Sequence, residues 1–218
     1  MKILTQLSGG LDSVAVLNEL VKSGIYDTIY PVFFNYGQPY QKQELKAALY
    51  ATRFYQDRTP LVVRSLLEVD LPLQVASTTE VKEYVPMRNL ALTAVSANIA
   101  ASLGCSRIAV GSKSTKWRPE DPYSFKDSTF DFYAALEYAI SVATEPGETP
   151  IRVLMPCLGW SKTQVVLSLM KAGIHLNKLW SCYRDQDHPC GECYHCKEIE
   201  KAMKDPLIQE WMHREVAS

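Results

Sequence analysis

Short apolar runs alternate with helix-like segments along most of this 218-residue chain, and this alternation constrains the fold more than any other feature. The predicted strands cover residues 3–7, 28–34, 61–66, 107–110 and 151–155, and the predicted helices cover residues 13–22, 41–55, 89–103, 130–142 and 161–172. Strands that alternate with helices at this spacing form a parallel sheet with helices on both faces. We therefore predict an α/β fold with a Rossmann-like parallel sheet, whose ligands bind beyond the carboxyl ends of the strands.

Local signals refine these elements. Asp12 is a candidate N-cap for the first helix, and Gly24 is expected to end that helix. The helix at 89–103 is rich in Ala and Leu and almost without charge, which predicts a helix buried on all sides. Pro31 is an awkward residue inside the second strand, because proline cannot donate a hydrogen bond to a neighbouring strand.

Charge and apolar patterning exclude two classes of protein. Lys and Arg total 23 and Asp and Glu total 24, and a net charge of -1 excludes a nucleic-acid binder held mainly by bulk charge. Apolar runs of roughly eighteen residues do not occur, so no membrane span is expected. The first apolar stretch is too short for a signal peptide, and we therefore expect a cytoplasmic protein with reduced cysteines.

The first predicted strand runs into residues 8–13, which read SGGLDS, and a helix follows. Glycines let a backbone approach a phosphate closely, and the N–H groups of such a loop and of the helix start bind the anion. Ser8 and Ser13 add hydroxyl donors. The segment matches neither a Walker A loop nor the GxGxxG dinucleotide pattern. It indicates another kind of phosphate-binding loop, with a plain turn as the alternative.

The alternating pattern ends near residue 178, and a cysteine-rich segment and a short charged helix near residues 198–204 are expected to follow. We expect residues 1–178 to form the sheet domain and residues 179–218 to pack on it as a C-terminal segment. This segment holds four cysteines with the spacing C-x7-C-x2-C-x2-C, namely Cys182, Cys190, Cys193 and Cys196. Four thiolates at this spacing favour a closed zinc knuckle. An iron–sulfur cluster and cysteines without a metal remain the alternatives.

The SGGLDS hexapeptide resembles the pyrophosphate-binding loop, S-G-G-x-D-S, of the N-type ATP pyrophosphatases, which form the PP-loop superfamily. The resemblance implies an adenine nucleotide alpha hydrolase-like fold that splits ATP to AMP and pyrophosphate while a substrate oxygen becomes adenylated. It also implies Mg²⁺, which Asp12 helps to hold together with the pyrophosphate. The implied ATP-binding residues are Leu7, Ser8, Gly9, Gly10, Leu11, Asp12, Ser13, Val14 and Ala15. The implied catalytic residues are Asp12, Ser13 and Lys162.

Further motifs narrow the resemblance to one family. They are YGQ at 36–38, VPMRN at 85–89, WSCY at 180–183 and the cysteine motif. Together with the loop they resemble the 7-cyano-7-deazaguanine synthase family of the queuosine and archaeosine pathway, in order along essentially the whole chain. The resemblance implies that ATP adenylates 7-carboxy-7-deazaguanine, that ammonia gives the amide, and that a second activation dehydrates the amide to the nitrile. It also implies a homodimer with zinc at the four cysteines.

The residues that the resemblance implies for substrate binding are Tyr36, Gln38, Arg88, Asn89, Asp127 and Trp180. Aromatic faces suit a flat heteroaromatic acid, and the guanidinium of Arg88 suits a carboxylate or a phosphate. The turn at Pro86 places Arg88 and Asn89 at a helix N-terminus, which favours anions.

The chain departs from the family pattern near the inferred pocket. Met87 stands where the family usually has glycine, and Pro39 and Tyr40 stand where it usually has Arg-His. Seven residues separate Cys182 from Cys190, where the family usually has eight. The loop at 111–127 is longer and more polar than the family pattern leads one to expect. Because of these departures, two alternatives remain: a related enzyme that stops at 7-amido-7-deazaguanine, or one that amidates another acceptor.

Two other functions also remain open. A tRNA thiolation-type enzyme shares the loop but needs a catalytic cysteine pair and a basic tRNA face. The isolation of Cys105 and Cys157 and the net charge of -1 count against it, so nucleic acid is not an expected partner. A binding module with an inactive nucleotide fold would not need Asp12 and Ser13. A glutaminase domain does not fit in 218 residues, so ammonia is expected from solution or from a partner.

Overall fold

In the computed structural model, which describes residues 1–59, 62–73 and 84–216, a five-stranded sheet forms the centre of the fold. Its strands are β1 (Lys2–Gln6), β2 (Thr28–Asn35), β3 (Leu67–Asp70), β4 (Arg107–Ala109) and β5 (Arg152–Leu154). The order is β3-β2-β1-β4-β5, and every neighbouring pair is parallel. The predicted α/β fold with a parallel sheet is confirmed.

The five helices predicted before residue 178 are present, and each begins and ends within two residues of its expected bounds. The helices are α1 (Leu11–Ser23), α2 (Gln41–Gln56), α3 (Arg88–Ser102), α4 (Phe130–Val142), α5 (Lys162–Lys171), α6 (Tyr194–Met203) and α7 (Pro206–Val216). Gly24 ends α1 in the left-handed conformation, as expected. Within the described ranges, none of the helices has the length and apolarity that a bilayer crossing requires.

The order of the strands reverses beside β1. The sheet grows from β1 through β2 and β3 to one edge, and the chain then returns to the other side of β1 for β4 and β5. Ligands of such sheets bind at this reversal, at the carboxyl ends of the strands. The segments after β1 and β4 meet there, since a Cβ built on Gly111 would lie 3.3 Å from the Ser13 Cα.

Alternate residues of β1 face opposite sides of the sheet and enter two separate apolar clusters. Ile3 packs in a cluster with Val14 of α1 and Leu169 of α5. Leu4 packs in the other cluster, which contains Ala100 of α3 and Tyr133 of α4. Helices on both faces therefore fix the ends of the strands that carry the site.

The C-terminal segment packs on the first of these clusters. Ala202 of α6 and Ile208 of α7 are buried in it, with 3% and 0% of their surface exposed. The sequence predicted a short helix near 198–204, whereas the structure has two longer helices in this region.

The third strand lies in a different place from the predicted one. The prediction was residues 61–66, but Leu61 is outside the described residues and Val63 makes an isolated bridge with Ile29. The strand forms at Leu67–Asp70, at the edge of the sheet. Exposed acidic residues alternate there with half-buried apolar ones, a pattern that a search for a continuous apolar run does not detect.

Two other local expectations are wrong. The N-cap of α1 is Gly10, and Asp12 lies inside the first turn, where its carboxylate faces lysines rather than the helix end. Helix α3 is buried on one side only, because small residues such as Ala97 and Ala100 face the sheet while Leu90 is 38% exposed.

Pro31 lies inside β2, and the structure shows why it is tolerated. It falls between the isolated bridge at Ile29 and the ladder to β3, which starts at Val32. The missing N–H of proline therefore does not interrupt the ladder on that side.

Candidate active site

The loop after β1 has a backbone that only glycine permits at one position. Gly9 has a φ of +82°, and a Cβ built on it would lie 2.5 Å from the Glu44 carbonyl oxygen and 2.7 Å from the Ala48 nitrogen. Both atoms belong to the backbone of α2, so neither moves aside cheaply. The loop thus packs directly on α2, and a side chain at residue 9 would force the two apart.

The two serines of the loop organise its polar groups. Ser8 Oγ lies 3.2 Å from Ser13 Oγ and accepts a hydrogen bond from Gly10 N at 3.3 Å. Ser13 Oγ lies 2.9 Å from Gly10 O. The N-cap residue of α1, Gly10, makes no side-chain hydrogen bond to the helix. Leu11 N donates to Ser181 Oγ, so the N–H groups left for a ligand in the first turn are those that follow Leu11. These groups and the positive end of the helix dipole favour a bound phosphate.

Residues from the C-terminal segment hold the loop in place. Trp180 N donates to Gly9 O at 3.1 Å, and Leu11 N donates to Ser181 Oγ at 3.2 Å. The sequence gave no sign of Ser181 as a partner of the loop, because the two are 170 positions apart.

Asp12 belongs to a network of alternating charges. Lys162 Nζ lies 2.9 Å from both oxygens of Asp12 and 3.3 Å from Glu198 Oε2. Lys113 Nζ lies 3.6 Å from one oxygen of each of the same two carboxylates. The structure thus brings together the predicted residues Asp12 and Lys162 and adds Lys113 and Glu198, which the sequence did not identify.

The network fixes the charge of its members. Burial lowers the pKa of Lys162, but Asp12 and Glu198 more than offset burial, so this pKa lies above its ordinary value. Burial raises the pKa of Glu198, but a hydrogen bond with His195 and the charges of both lysines outweigh it and bring this pKa to about 2. Burial holds the pKa of Lys113 below its usual range. At neutral pH Lys162 is therefore a cation and Glu198 an anion.

A cavity of about 230 Å³ opens beside the loop and joins residues from distant parts of the chain. Its walls include predicted ATP-binding, catalytic and substrate residues: Leu7, Ser8, Gly10, Leu11, Asp12, Ser13, Lys162, Tyr36, Arg88, Asn89 and Trp180. Five other predicted residues lie outside these walls: Gly9, Val14, Ala15, Gln38 and Asp127. The walls also contain residues to which the sequence assigned no role, among them Tyr40, Glu44, Ser112, Tyr133, Ser181 and His195.

Arg88 and its aromatic neighbours form one side of this cavity. Arg88 Nη1 lies 3.4 Å from the Tyr36 hydroxyl, and its guanidinium carbon lies 5.7 Å from the centroid of the Tyr36 ring. Burial alone would lower the pKa of Arg88, but the phenols of Tyr36, Tyr40 and Tyr183 raise it above its ordinary value. A permanent cation at the first residue of α3 suits an anionic substrate group.

Gln38 lies behind the wall and orients Glu44. Its Nε2 donates to Glu44 Oε2 at 2.9 Å and to Phe34 O at 3.1 Å, and its Oε1 accepts from Tyr36 N at 2.9 Å. Protein groups therefore occupy both ends of this buried amide. Burial raises the pKa of Glu44 to about 7, against the opposing effects of Gln38 and Arg88.

Trp180 and His195 enter the cavity from the C-terminal segment. Trp180 is 7% exposed, and among the described residues its buried Nε1 has no acceptor. His195 Nε2 lies 2.7 Å from the Tyr183 hydroxyl, and its Nδ1 lies 3.5 Å from Glu198 Oε2.

The loop at 111–127 borders a second, larger cavity of about 1140 Å³, which shares Asp12, Arg88 and Lys162 with the first. Asp127 joins this loop to α3, since Asn89 Nδ2 donates to its backbone oxygen at 2.9 Å. Burial raises the pKa of the Asp127 carboxyl, against the opposing charge of Arg88.

The four cysteines of the C-terminal motif converge at the start of α6. The Sγ atoms of Cys182, Cys190, Cys193 and Cys196 lie within 4.8 Å of one another. The Sγ atoms of Cys190 and Cys196 are 3.9 Å apart, close to the roughly 3.8 Å expected for two of four thiolates at about 2.3 Å from a tetrahedral zinc ion. Backbone N–H groups of Cys193 and Glu192 lower the pKa of Cys190 to about 6. The cluster can therefore hold a metal ion.

The sequence matches a family of known proteins over nearly its whole length. The family described as queuosine biosynthesis protein QueC matches residues 2–206. A 7-cyano-7-deazaguanine synthase of Nitratiruptor sp. is 32% identical over 224 residues, which cover 93% of this chain and 95% of the relative. The protein of the same name from Methanosarcina barkeri is 28% identical over 237 residues, which cover 96% of this chain and 98% of the relative.

The fold also occurs in solved structures. A 4-thiouridine synthetase, crystallised with RNA and bound ATP, superposes with a TM-score of 0.55 and 19% sequence identity. The match covers 96% of this chain and 52% of that one. The chain thus spans about half of the synthetase, and the likeness concerns the fold.

Proposed function

The chain belongs to the queuosine biosynthesis protein QueC family, and from that premise we propose that it uses ATP to convert 7-carboxy-7-deazaguanine and ammonia into 7-cyano-7-deazaguanine. The observation that carries this proposal is the shared cavity. The phosphate loop, Arg88, Lys162 and Trp180 come from separate parts of the sequence and line one space. The family's named relatives, which the chain matches nearly end to end, support the same reaction.

In the first step a carboxylate oxygen of the substrate attacks the α-phosphorus of ATP, and pyrophosphate leaves. The loop N–H groups and the Lys162 ammonium stabilise the negative charge that grows on the phosphate oxygens. Lys162 contacts Asp12 before ATP enters, and phosphate oxygens can replace that carboxylate as its partner. Asp12 would then keep Lys113 near its Oδ1 and have Oδ2 available for Mg²⁺, which would neutralise pyrophosphate charge.

The later steps change the same carbon twice. Ammonia adds to the acyl carbon of the adenylate. The bond between this carbon and the bridging oxygen then breaks, and AMP leaves with that oxygen. Release of one proton gives the amide. The amide oxygen then attacks a second ATP, and pyrophosphate leaves again. Loss of AMP, which takes the former amide oxygen with it, and of both N–H protons from this intermediate forms the nitrile, so each turnover consumes two ATP and one ammonia.

The cysteine cluster has a structural role in this proposal. Cys182, Cys190, Cys193 and Cys196 would supply all four ligands of a zinc ion, which would then have a structural rather than a catalytic role. The ion would fix the start of α6, which carries His195 to the first cavity and Glu198 to the second. Residues 1–178 then form the ATP pyrophosphatase domain, and residues 179–218 form the metal-binding segment packed on it.

We propose that the protein is a cytoplasmic homodimer that acts on small molecules and does not bind nucleic acid. Apolar side chains exposed on α3 and α4 support self-association, with Leu90, Tyr138 and Val142 exposed by 38%, 72% and 68%. Equilibrium sedimentation of the wild type and of Tyr138→Glu tests this surface, and a dimer that persists unchanged in the variant argues against it. A thiolation enzyme would need a pair of catalytic cysteines close together. Cys105 and Cys157 are instead buried in two different apolar clusters, with 4% and 0% of their surface exposed, which argues against this function.

The reaction is tested by mass analysis after incubation with 7-carboxy-7-deazaguanine, ammonium, Mg²⁺ and ATP. The expected product is the nitrile, with two AMP released for each nitrile formed. Accumulation of the amide with one AMP would instead identify an enzyme that stops at 7-amido-7-deazaguanine. Absence of any conversion would contradict the proposal.

Asp12→Asn is the matched control for the loop. Its side chain has almost the same shape but no charge, so ATP cleavage should be lost while the fold and metal content remain. Retention of full activity in this variant would exclude Asp12 from the reaction.

A further inference from the structure

Two polar groups in the walls of the cavity have no role in the proposed adenylation. One is the Glu44 carboxylate, which is on α2 and outside the phosphate loop and the YGQ, VPMRN, WSCY and cysteine motifs. The other is the Trp180 indole N–H, whose ring alone was expected to contact substrate. Both groups lie beside the phosphate loop, because Gly9 packs on the Glu44 backbone and accepts a hydrogen bond from Trp180 N.

Glu44 is held in place by one side chain and retains acceptor capacity for a ligand. Gln38 Nε2 donates to Oε2 at 2.9 Å and leaves the remaining lone pairs of the carboxylate free of that contact. Gln38 in turn is fixed by backbone groups of Phe34 and Tyr36. A carboxylate oriented in this way accepts two adjacent N–H groups with little loss of side-chain freedom.

Trp180 supplies a donor without a partner. Its side chain is more than nine-tenths buried, and among the described residues its Nε1 has no acceptor. A buried donor of this kind costs stability unless a ligand or water accepts its hydrogen bond. Because Trp180 lines the cavity, an acceptor in the cavity can satisfy it.

We infer that Glu44 and Trp180 recognise the pyrimidine-ring edge of a deazaguanine, with Glu44 accepting from the ring N–H and the exocyclic amine and Trp180 donating to the ring carbonyl. This inference rests on the proposed function, and it assigns a specificity-determining role to two side chains of that site. A guanine-type edge presents two neighbouring donors and an acceptor, which complements the two groups. An adenine edge presents an acceptor where the ring N–H would be and so does not complement Glu44.

The test compares two ligands and two proteins. The ligands are 7-carboxy-7-deazaguanine and its analogue without the exocyclic amine, and the proteins are the wild type and Glu44→Gln. Glutamine keeps the shape of the side chain and can still accept from Gln38, but it places an NH2 group against the donors of the ligand. Binding of each ligand is measured by calorimetry without ATP, and kcat and KM are measured separately for the acid and for ATP.

The wild type should bind the complete acid about 10- to 100-fold more tightly than the analogue, as expected for a hydrogen bond to a charged group. In Glu44→Gln this preference should shrink to within about threefold, and the KM for ATP should stay within about twofold of the wild type. A preference that survives in the variant, or a rise in the KM for ATP instead of the acid, overturns the inference. Glu68→Gln is the control, because Glu68 is exposed on β3 and outside the cavity.

Trp180→Phe gives an independent reading, since it removes the N–H and keeps an aromatic ring. Both ligands carry the carbonyl, so the variant should weaken both about equally and leave the preference between them intact. A variant that binds both ligands as tightly as the wild type excludes the proposed Trp180 contact. Unfolding temperatures of all variants identify any that fail to fold.

The two proposals fail in distinguishable ways. Turnover of the acid without a Glu44-dependent preference contradicts this inference and leaves the proposed function standing. A Glu44-dependent preference in binding without turnover supports the inference and contradicts the proposed function. Absence of any binding of the acid to the wild type contradicts both.

Discussion

Met87 offers a test of backbone strain next to the site. Among the described residues, it is the one non-glycine residue with a positive φ, at 57°, and it immediately precedes Arg88 and α3. Side chains with a Cβ occupy this left-handed region at a cost of about 1–2 kcal/mol, which glycine does not bear. Met87→Gly should remove this strain, because glycine adopts the left-handed conformation without a steric cost.

The size of the effect is best taken from a pair of variants. Met87 is 63% exposed, and both Met87→Gly and Met87→Ala remove the little apolar contact that it makes. The two variants differ in two ways. Glycine relieves the backbone strain, which raises the free energy of unfolding. Glycine also gives the unfolded chain more conformational entropy, which lowers the free energy of unfolding by about 0.5–1 kcal/mol relative to alanine. We therefore expect Met87→Gly to be about 1 kcal/mol more stable than Met87→Ala.

Urea denaturation followed by circular dichroism measures this difference. For a chain of this size it corresponds to about 2–4 °C in the unfolding temperature. If Met87→Ala is as stable as Met87→Gly, residue 87 does not have the left-handed conformation in solution, and the reasoning is refuted. Parallel measurement of the KM for the acid shows whether the strain also positions Arg88.

Three further perturbations have defined outcomes. Burial raises the pKa of Glu44 from its ordinary value of 4.5 to about 7, so the folded protein loses stability as the pH rises between these values. Glu44→Gln should therefore be more stable than the wild type at pH 8 by about 1–2 kcal/mol, after allowance for partial exposure, and equally stable at pH 4, as judged by urea midpoints. Lys162→Gln should lower kcat for AMP release by at least about 100-fold, because it removes a charge from the phosphates and leaves Asp12 with Lys113 alone; a loss below about threefold would exclude the proposed role. Cys193→Ser should lose the bound zinc and solubility, and a soluble, active and zinc-free variant would contradict the structural role of the cluster.

The elements with strong local signals were predictable from the sequence. The glycines before α1 and after it mark a turn and a helix end through φ preferences that act within a few residues, as Gly24 shows. The cysteine spacing predicted a cluster that the structure assembles, since a metal site of this kind is encoded in a single short segment. The Gly9 turn and the pairing of Asp12 with Lys162 fit the resemblance that the loop and its motifs suggested.

The remaining features depend on contacts that no local pattern encodes. The edge strand β3 is half-exposed and therefore lacks an apolar run. Asp12 has the right side chain for an N-cap, but the lysines of α5 and of the loop after β4 draw it into an ion network instead. Glu44 is unremarkable in sequence, and it becomes part of the site only because Gly9 lets the phosphate loop pack on α2.

The bonds from Trp180 and Ser181 to the phosphate loop also set the order in which the site is completed during synthesis. The loop is among the first segments translated, yet the hydroxyl that holds Leu11 N follows 170 residues later. At elongation rates of about 5–20 residues per second, that delay is on the order of 10–30 s. Through this interval the phosphate loop of the nascent chain lacks its hydrogen bonds to Trp180 and Ser181. Mature nucleotide affinity therefore arises late in translation, together with the cysteine motif that follows Ser181.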